Sequence, residues 1–173
     1  MDKKQKRIRT VTWIAFAIYL VLLVWVIVFK TEPALVTLKM PPYRTPVNLI
    51  PFGAPMMQNG SVCWQEILEN VLAFIPLGVF IAIIAKRRGL LKAVLWGLGL
   101  SLVFEAWQYV FGVGCADITD VLANTFGAFF GAVLWPLFRR IFGKRAEAVC
   151  SITLLCLELL FSGFWLFLTL ANS

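Results

Sequence analysis

Seven side chains able to do chemistry fall into three short groups: Glu66 with Asn70, Glu105 with Gln108, and Asp117 with Asp120 and Asn124. All are carboxyls or amides. Such groups hold cations through charge and hydrogen bonds, and oxygen donors of this kind suit Ca²⁺ or Mg²⁺ better than zinc. Two carboxyls with separated proton affinities can also act as acid and base; Glu105 with Asp117 or Asp120 would be that pair. The 173 residues include no histidine. That excludes His-based dyads and triads, histidine metal sites and histidine pH sensing within this chain. No nucleophile, phosphate loop or cofactor motif is present, so binding ranks ahead of catalysis and no cofactor is expected beyond a divalent cation at the acids.

The elements that must position these groups are membrane helices. The chain is 61% hydrophobic and 14% charged, with mean hydropathy +0.86, whereas a soluble domain is about half apolar and a quarter charged. Five apolar stretches reach the roughly 17–25 residues that a bilayer crossing needs: 11–29, 67–85, 93–111, 118–138 and 149–170. A basic N-terminus precedes the first, but no small-residue cleavage pattern follows it, so it is read as a retained helix. The expected fold is an all-α polytopic bundle in one domain. Lys3, Lys4, Lys6, Arg7 and Arg9, the 86–92 basic group, and Arg139, Arg140, Lys144 and Arg145 all lie on one side of these spans. With that side cytoplasmic, 13 of the 16 Lys and Arg residues face inward, which predicts N-terminus in and C-terminus out. The +7 charge then reflects topology and anionic lipid, and gives no nucleic-acid patch. Residues 30–65 form the one long external loop. It holds six of the eight prolines, which disfavours regular helix, and its apolar second half is expected to pack back onto the bundle.

This topology brings the acids together. Glu66, Glu69 and Asn70 open helix 2 at its outer end, and Asp117, Asp120 and Asn124 open helix 4 there. Glu105 and Gln108 lie in the last turns of helix 3, which ends on the same side. Five of the nine acids thus share one leaflet. At 1.5 Å per residue, Glu105 and Asn124 both sit about 9 Å below its boundary. At about 100° per residue each group also shares a face, continued inward by small residues such as Gly97, Ser101, Gly127 and Gly131. Capping of helix amides offers a purely structural account of Glu66, Asp117 and Asp120. It does not extend to Glu105, whose depth costs up to about 2.5–3.5 kcal/mol. The pairs Glu66-x-x-x-Asn70 and Asp120-x-x-x-Asn124 have the form of a two-helix repeat, a pattern that places sites at the repeat interface. Glu158 stands alone in helix 5, either bonded to a neighbouring helix or facing a polar cavity.

The segments Asn48-Leu-Ile-Pro-Phe52, Asn70-Val-Leu-Ala-Phe-Ile-Pro-Leu-Gly78, Glu105-Ala-Trp-Gln108 and Asp117-Ile-Thr-Asp-Val-Leu-Ala-Asn-Thr-Phe-Gly127 occur in that order. Together, over residues 48–131, they resemble the VanZ-like family of membrane proteins. The resemblance implies a multi-pass protein of the bacterial cytoplasmic membrane and a link to low-level resistance to the glycopeptide teicoplanin. It leaves three functions open: a surface protein binding a cationic or lipid-linked ligand, including a glycopeptide, or else an enzyme or a flippase for a lipid-linked cell-wall precursor. The family pattern carries an arginine just before the Asp-x-x-Asp, where this chain reads Gly112-Val-Gly-Cys-Ala116; Arg44 is the candidate substitute. The ligand-binding set expected here is Asn48, Glu66, Asn70, Glu105, Gln108, Asp117, Asp120 and Asn124, roofed by residues 48–52.

The topology also divides the four cysteines. Cys150 and Cys156 lie on opposite sides of helix 5 as packing residues. Cys63 and Cys115 both precede external helix starts, in a compartment that permits disulfides. They are either a disulfide joining the mouths of helices 2 and 4 or two free thiols.

Overall fold

The computed structural model describes residues 2–29, 47–53, 57–58, 61–85, 87–111 and 115–171. Five long helices follow one another: α1 (Lys3–Phe29), α2 (Trp64–Ala85), α3 (Gly89–Phe111), α4 (Ile118–Phe142) and α5 (Ala146–Ala171). A two-residue hairpin, β1 (Met57–Gln58) antiparallel to β2 (Ser61–Val62), precedes α2. Four helical stretches are long and apolar enough to cross a membrane, the last of them, Ile118–Phe167, comprising most of α4 and α5. Large apolar side chains such as Val21, Leu72, Val103, Leu137 and Leu160 are exposed on every helix, as a lipid-facing exterior requires. The chain is an all-α polytopic membrane protein.

The helices reach beyond the apolar stretches. α1 begins at Lys3 rather than Val11, because Lys, Gln and Arg are good helix formers and no stop signal intervenes. α4 runs to Phe142, past Arg139 and Arg140, whose charges suit a helix C-terminus. It stops at Gly143, whose φ of 56° only glycine adopts freely and whose N–H caps the Arg139 carbonyl. A single 3₁₀ turn, Gly143–Arg145, then leads into α5.

α2 is the central helix. Phe74, Leu77 and Phe80 are fully buried and pack with Phe16 and Tyr19 of α1, Phe104 of α3 and Ala128 of α4. The α2–α4 seam is a backbone contact. A Cβ placed on Gly78 would meet the Ala128 carbonyl, and one placed on Gly131 would meet that of Ile75; only glycine allows helices this close. α1 and α5 run side by side in the same direction. Gln5 Nε2 donates to Glu147 Oε2 (3.2 Å), the Thr12 and Ser151 hydroxyls bond at 2.8 Å, and Trp25 and Trp165 meet edge to face at 5.1 Å. Tyr19 ties this pair to α2 by donating its hydroxyl to the Ala73 carbonyl (2.7 Å). α2, α3 and α4 alternate in direction, so the N-termini of α2 and α4 and the C-terminus of α3 share one end of the bundle.

Candidate functional site

Asp117 organises that shared end. It is the N-cap of α4, with extended backbone, and its Oδ1 accepts from Thr119 N at 2.7 Å. Such a cap satisfies one of the helix's free amides. Its Oδ2 accepts from Asn48 Nδ2 at 2.8 Å, and its own amide donates to Glu105 Oε2 at 2.8 Å. The loop before the hairpin is thereby pinned over the helix mouth. Asn48 N donates to the Ala116 carbonyl (2.8 Å) and Ile118 N to the Asn48 carbonyl (3.0 Å), a parallel bridge on either side of Asp117. Phe52 N donates to Thr119 Oγ1 (2.9 Å). Phe52 also takes a positive φ of 56°, a strained conformation for an aromatic residue, in the turn that closes from Gly53 N to the Ile50 carbonyl.

Below this roof two further bonds cross between helices. Asn70 Nδ2 of α2 donates to Asp120 Oδ1 of α4 at 2.5 Å. Asn124 Nδ2 of α4 donates to Ser101 Oγ of α3 at 2.9 Å. Asn70, Asp117 and Asn124 are each only 2% exposed, and Glu105 is 9% exposed. Among the described residues, the buried acceptors Gln108 Oε1, Asn124 Oδ1 and Thr125 Oγ1 have no hydrogen-bond donor. The site therefore combines three carboxyls with amide oxygens that lack donors.

Of the expected ligand-binding set, the structure brings Asn48, Glu105 and Asp117 into one bonded group and joins Asn70 to Asp120. Asn124 bonds Ser101 instead of a carboxyl. Glu66 lies half-buried in the first turn of α2, and Gln108 half-buried near the end of α3. Glu69 is exposed and accepts from Gln65 Nε2 at 2.9 Å. Arg44 lies outside the described residues. Thr119 was not singled out from sequence, although a hydroxyl two residues after an N-cap Asp was the available signal. Tyr19 was missed too; a phenol inside an apolar span was its signal.

The Cys63–Cys115 disulfide is not formed, and both are free thiols. Cys115 instead sits at the acids: burial pushes its thiol above the usual range, and the Asp117, Glu105 and Asp120 carboxyls push the same way. A thiol held protonated in this way resists the thiolate chemistry by which disulfides form. Cys63 links the hairpin to α2, and its carbonyl accepts from Ile67 N at the start of that helix.

Among the described residues no three acids or cysteines converge as a metal-ligating group. Both Asp117 oxygens already accept nitrogen donors. A cavity of about 740 Å³ lies on the far side of α2, between α1, α2 and α5. Asn70 and Glu69 belong to its wall, and Glu105, Asp117 and Asp120 do not.

Residues 16–139 match the VanZ/LLP1 family. The protein VanZ of Enterococcus faecium is 36% identical over 129 residues, covering 75% of this chain and 76% of that protein. No solved structure matches the chain. The matched stretch runs from the middle of α1 to the last turn of α4 and so contains every residue of the polar end. The chain belongs to the VanZ/LLP1 family.

Proposed function

We propose that this protein binds a cationic or lipid-linked ligand at the polar end of α2, α3 and α4, and thereby contributes to glycopeptide resistance of the teicoplanin type or to envelope homeostasis. The observation that carries the reading is a surplus of acceptors. Glu105, Asp117 and Asp120 converge within one polar end, and Gln108 Oε1 and Asn124 Oδ1 are buried beside them without donors among the described residues. Buried acceptors without partners are costly, and a ligand bearing ammonium or amide N–H groups supplies what they lack. In this reading the polar end faces outward across the bacterial cytoplasmic membrane, as the distribution of Lys and Arg favours.

We rank binding above catalysis on, or flipping of, a lipid-linked cell-wall precursor, and the bonding of Asp117 counts against its use as one of an acid–base pair. An acid–base pair needs two carboxyls free to exchange protons. Asp117 is held by Thr119 N and Asn48 Nδ2. The test is teicoplanin susceptibility of a sensitive host expressing the wild-type chain, Glu105→Gln or Asp120→Asn at equal membrane abundance. Raised tolerance that both substitutions abolish supports the reading. Raised tolerance that both leave intact removes it.

A further inference from the structure

The cavity between α1, α2 and α5 contains a carboxyl that, among the described residues, is the one buried acid the polar end does not use. Glu158 is 8% exposed, lies midway along α5 and lines this cavity. Among the described residues, neither of its oxygens has a hydrogen-bond partner. The hydroxyls nearest to hand are already committed. Tyr19 gives its proton to the Ala73 carbonyl, and Ser162 gives its own to the backbone carbonyl of Glu158. The remaining wall is mostly aliphatic and aromatic, including Leu22, Leu72, Pro76 and Phe161; it carries no lysine or arginine, and its other polar members, Asn70 and the exposed Glu69, lie at the end nearer the start of α2.

Register fixes the depth. Glu158 follows Ser151 by two turns, as Tyr19 follows Thr12, and Thr12 and Ser151 are bonded. Glu158 and Tyr19 are therefore level, about 10 Å along the bundle from that bond. The Trp25–Trp165 pair lies about another 10 Å on, toward the polar end. The space is thus an elongated apolar slot with a carboxyl at its inner end. Its volume of about 740 Å³ falls within the range of small-molecule sites, roughly 300–1,000 Å³.

We propose that this slot binds a single-chain aliphatic amine, with the ammonium on Glu158 and the hydrocarbon chain running toward the Trp25–Trp165 pair. A carboxylate surrounded by hydrocarbon is costly unless a cation and hydrogen-bond donors meet it. An ammonium brings both, with three N–H donors for two unpartnered oxygens. An alcohol brings one donor and no charge, and a carboxylic acid brings like charge. The slot shares Asn70 with the polar end, but it uses a different carboxyl, since Glu105, Asp117 and Asp120 do not line it.

The test is native mass spectrometry of the full chain released from phosphatidylcholine nanodiscs, with dodecylamine, dodecanol and dodecanoate as probes. We expect a one-to-one dodecylamine adduct at least tenfold more abundant than either other adduct. Glu158→Gln, nearly isosteric, should remove that preference. Leu72→Trp, which places bulk at an exposed position of the slot wall, should block the adduct without disturbing the core. Equal wild-type adducts from amine and alcohol, an amine preference that survives Glu158→Gln, an amine adduct that survives Leu72→Trp, or no amine adduct at all would each overturn the proposal.

Discussion

Gly127→Ala tests how the helix seam holds the polar end together. A Cβ at Gly127 would lie 2.3 Å from the Val71 carbonyl oxygen, against an ordinary contact of about 3.5 Å. The obstacle is backbone, so no side-chain rotation relieves it, and α2 must move away from α4 by about 1.2 Å there. Val71 follows Asn70, whose Nδ2 donates to Asp120 Oδ1 across the seam at 2.5 Å. The same displacement stretches that bond to about 3.7 Å, past the usual limit of about 3.2 Å. Overpacking costs about 1–3 kcal/mol, and a buried amide left without its partner costs about 1–3 kcal/mol more. We expect Gly127→Ala to lose about 2–6 kcal/mol in denaturant unfolding followed by tryptophan fluorescence in detergent. Gly99→Ala is the control. Nothing lies within 4 Å of its added Cβ, so it should be neutral or slightly stabilising. A double mutant with Asn70→Ala separates the two contributions: the cost of Asn70→Ala should shrink when Gly127→Ala is already present. Strict additivity, or a loss from Gly127→Ala below about 1 kcal/mol, would refute the reasoning.

Other outcomes follow from the same geometry. Asp117→Ala removes the α4 cap, worth about 1–2 kcal/mol, and frees Asn48; hydrogen exchange at Asn48, Ile118 and Thr119 should rise well above that in the α2–α4 seam. Cys115 alkylation should need higher pH than that of a small free thiol, because burial and three carboxyls raise its pKa and leave less thiolate at any given pH. Glu105→Gln should shift its rate–pH profile downward, and an unchanged profile would contradict the placement of Cys115 at the acids. Single cysteines at Gln58 and Arg87 should be labelled from opposite sides of the membrane, Arg87→Cys from the cytoplasm. Labelling of both from one side would overturn the orientation.

The spans were legible because an apolar run of about 20 residues has few other destinations. Their ends were less so: the helix of Lys3–Phe29 continues through basic residues that hydropathy alone treats as a boundary. Helical phase and depth marked Glu105, Asp117 and Asp120 as neighbours of one end. Which atom bonds which was not legible. The Asn48–Asp117 pairing joins residues 69 apart in sequence, and nothing local in either segment encodes it. Cys63 and Cys115 show the converse. Both precede helices that start at the same end of the bundle, yet a disulfide also requires opposed Cβ vectors, which sequence position does not report. Glu158 was visible as an isolated acid, but its place in an apolar slot depends on the packing of α1 against α2 and α5.

The central claim is that the polar end binds its ligand through its carboxyls together with the amide oxygens of Gln108 and Asn124. Fluorescence titration of the purified chain in nanodiscs with teicoplanin tests it most directly, comparing wild type with Glu105→Gln and with a Gly99→Ala control. Saturable binding by wild type and Gly99→Ala, weakened at least tenfold in Glu105→Gln, is the predicted result. Equal affinity in all three, or no saturable binding in any, would contradict the account.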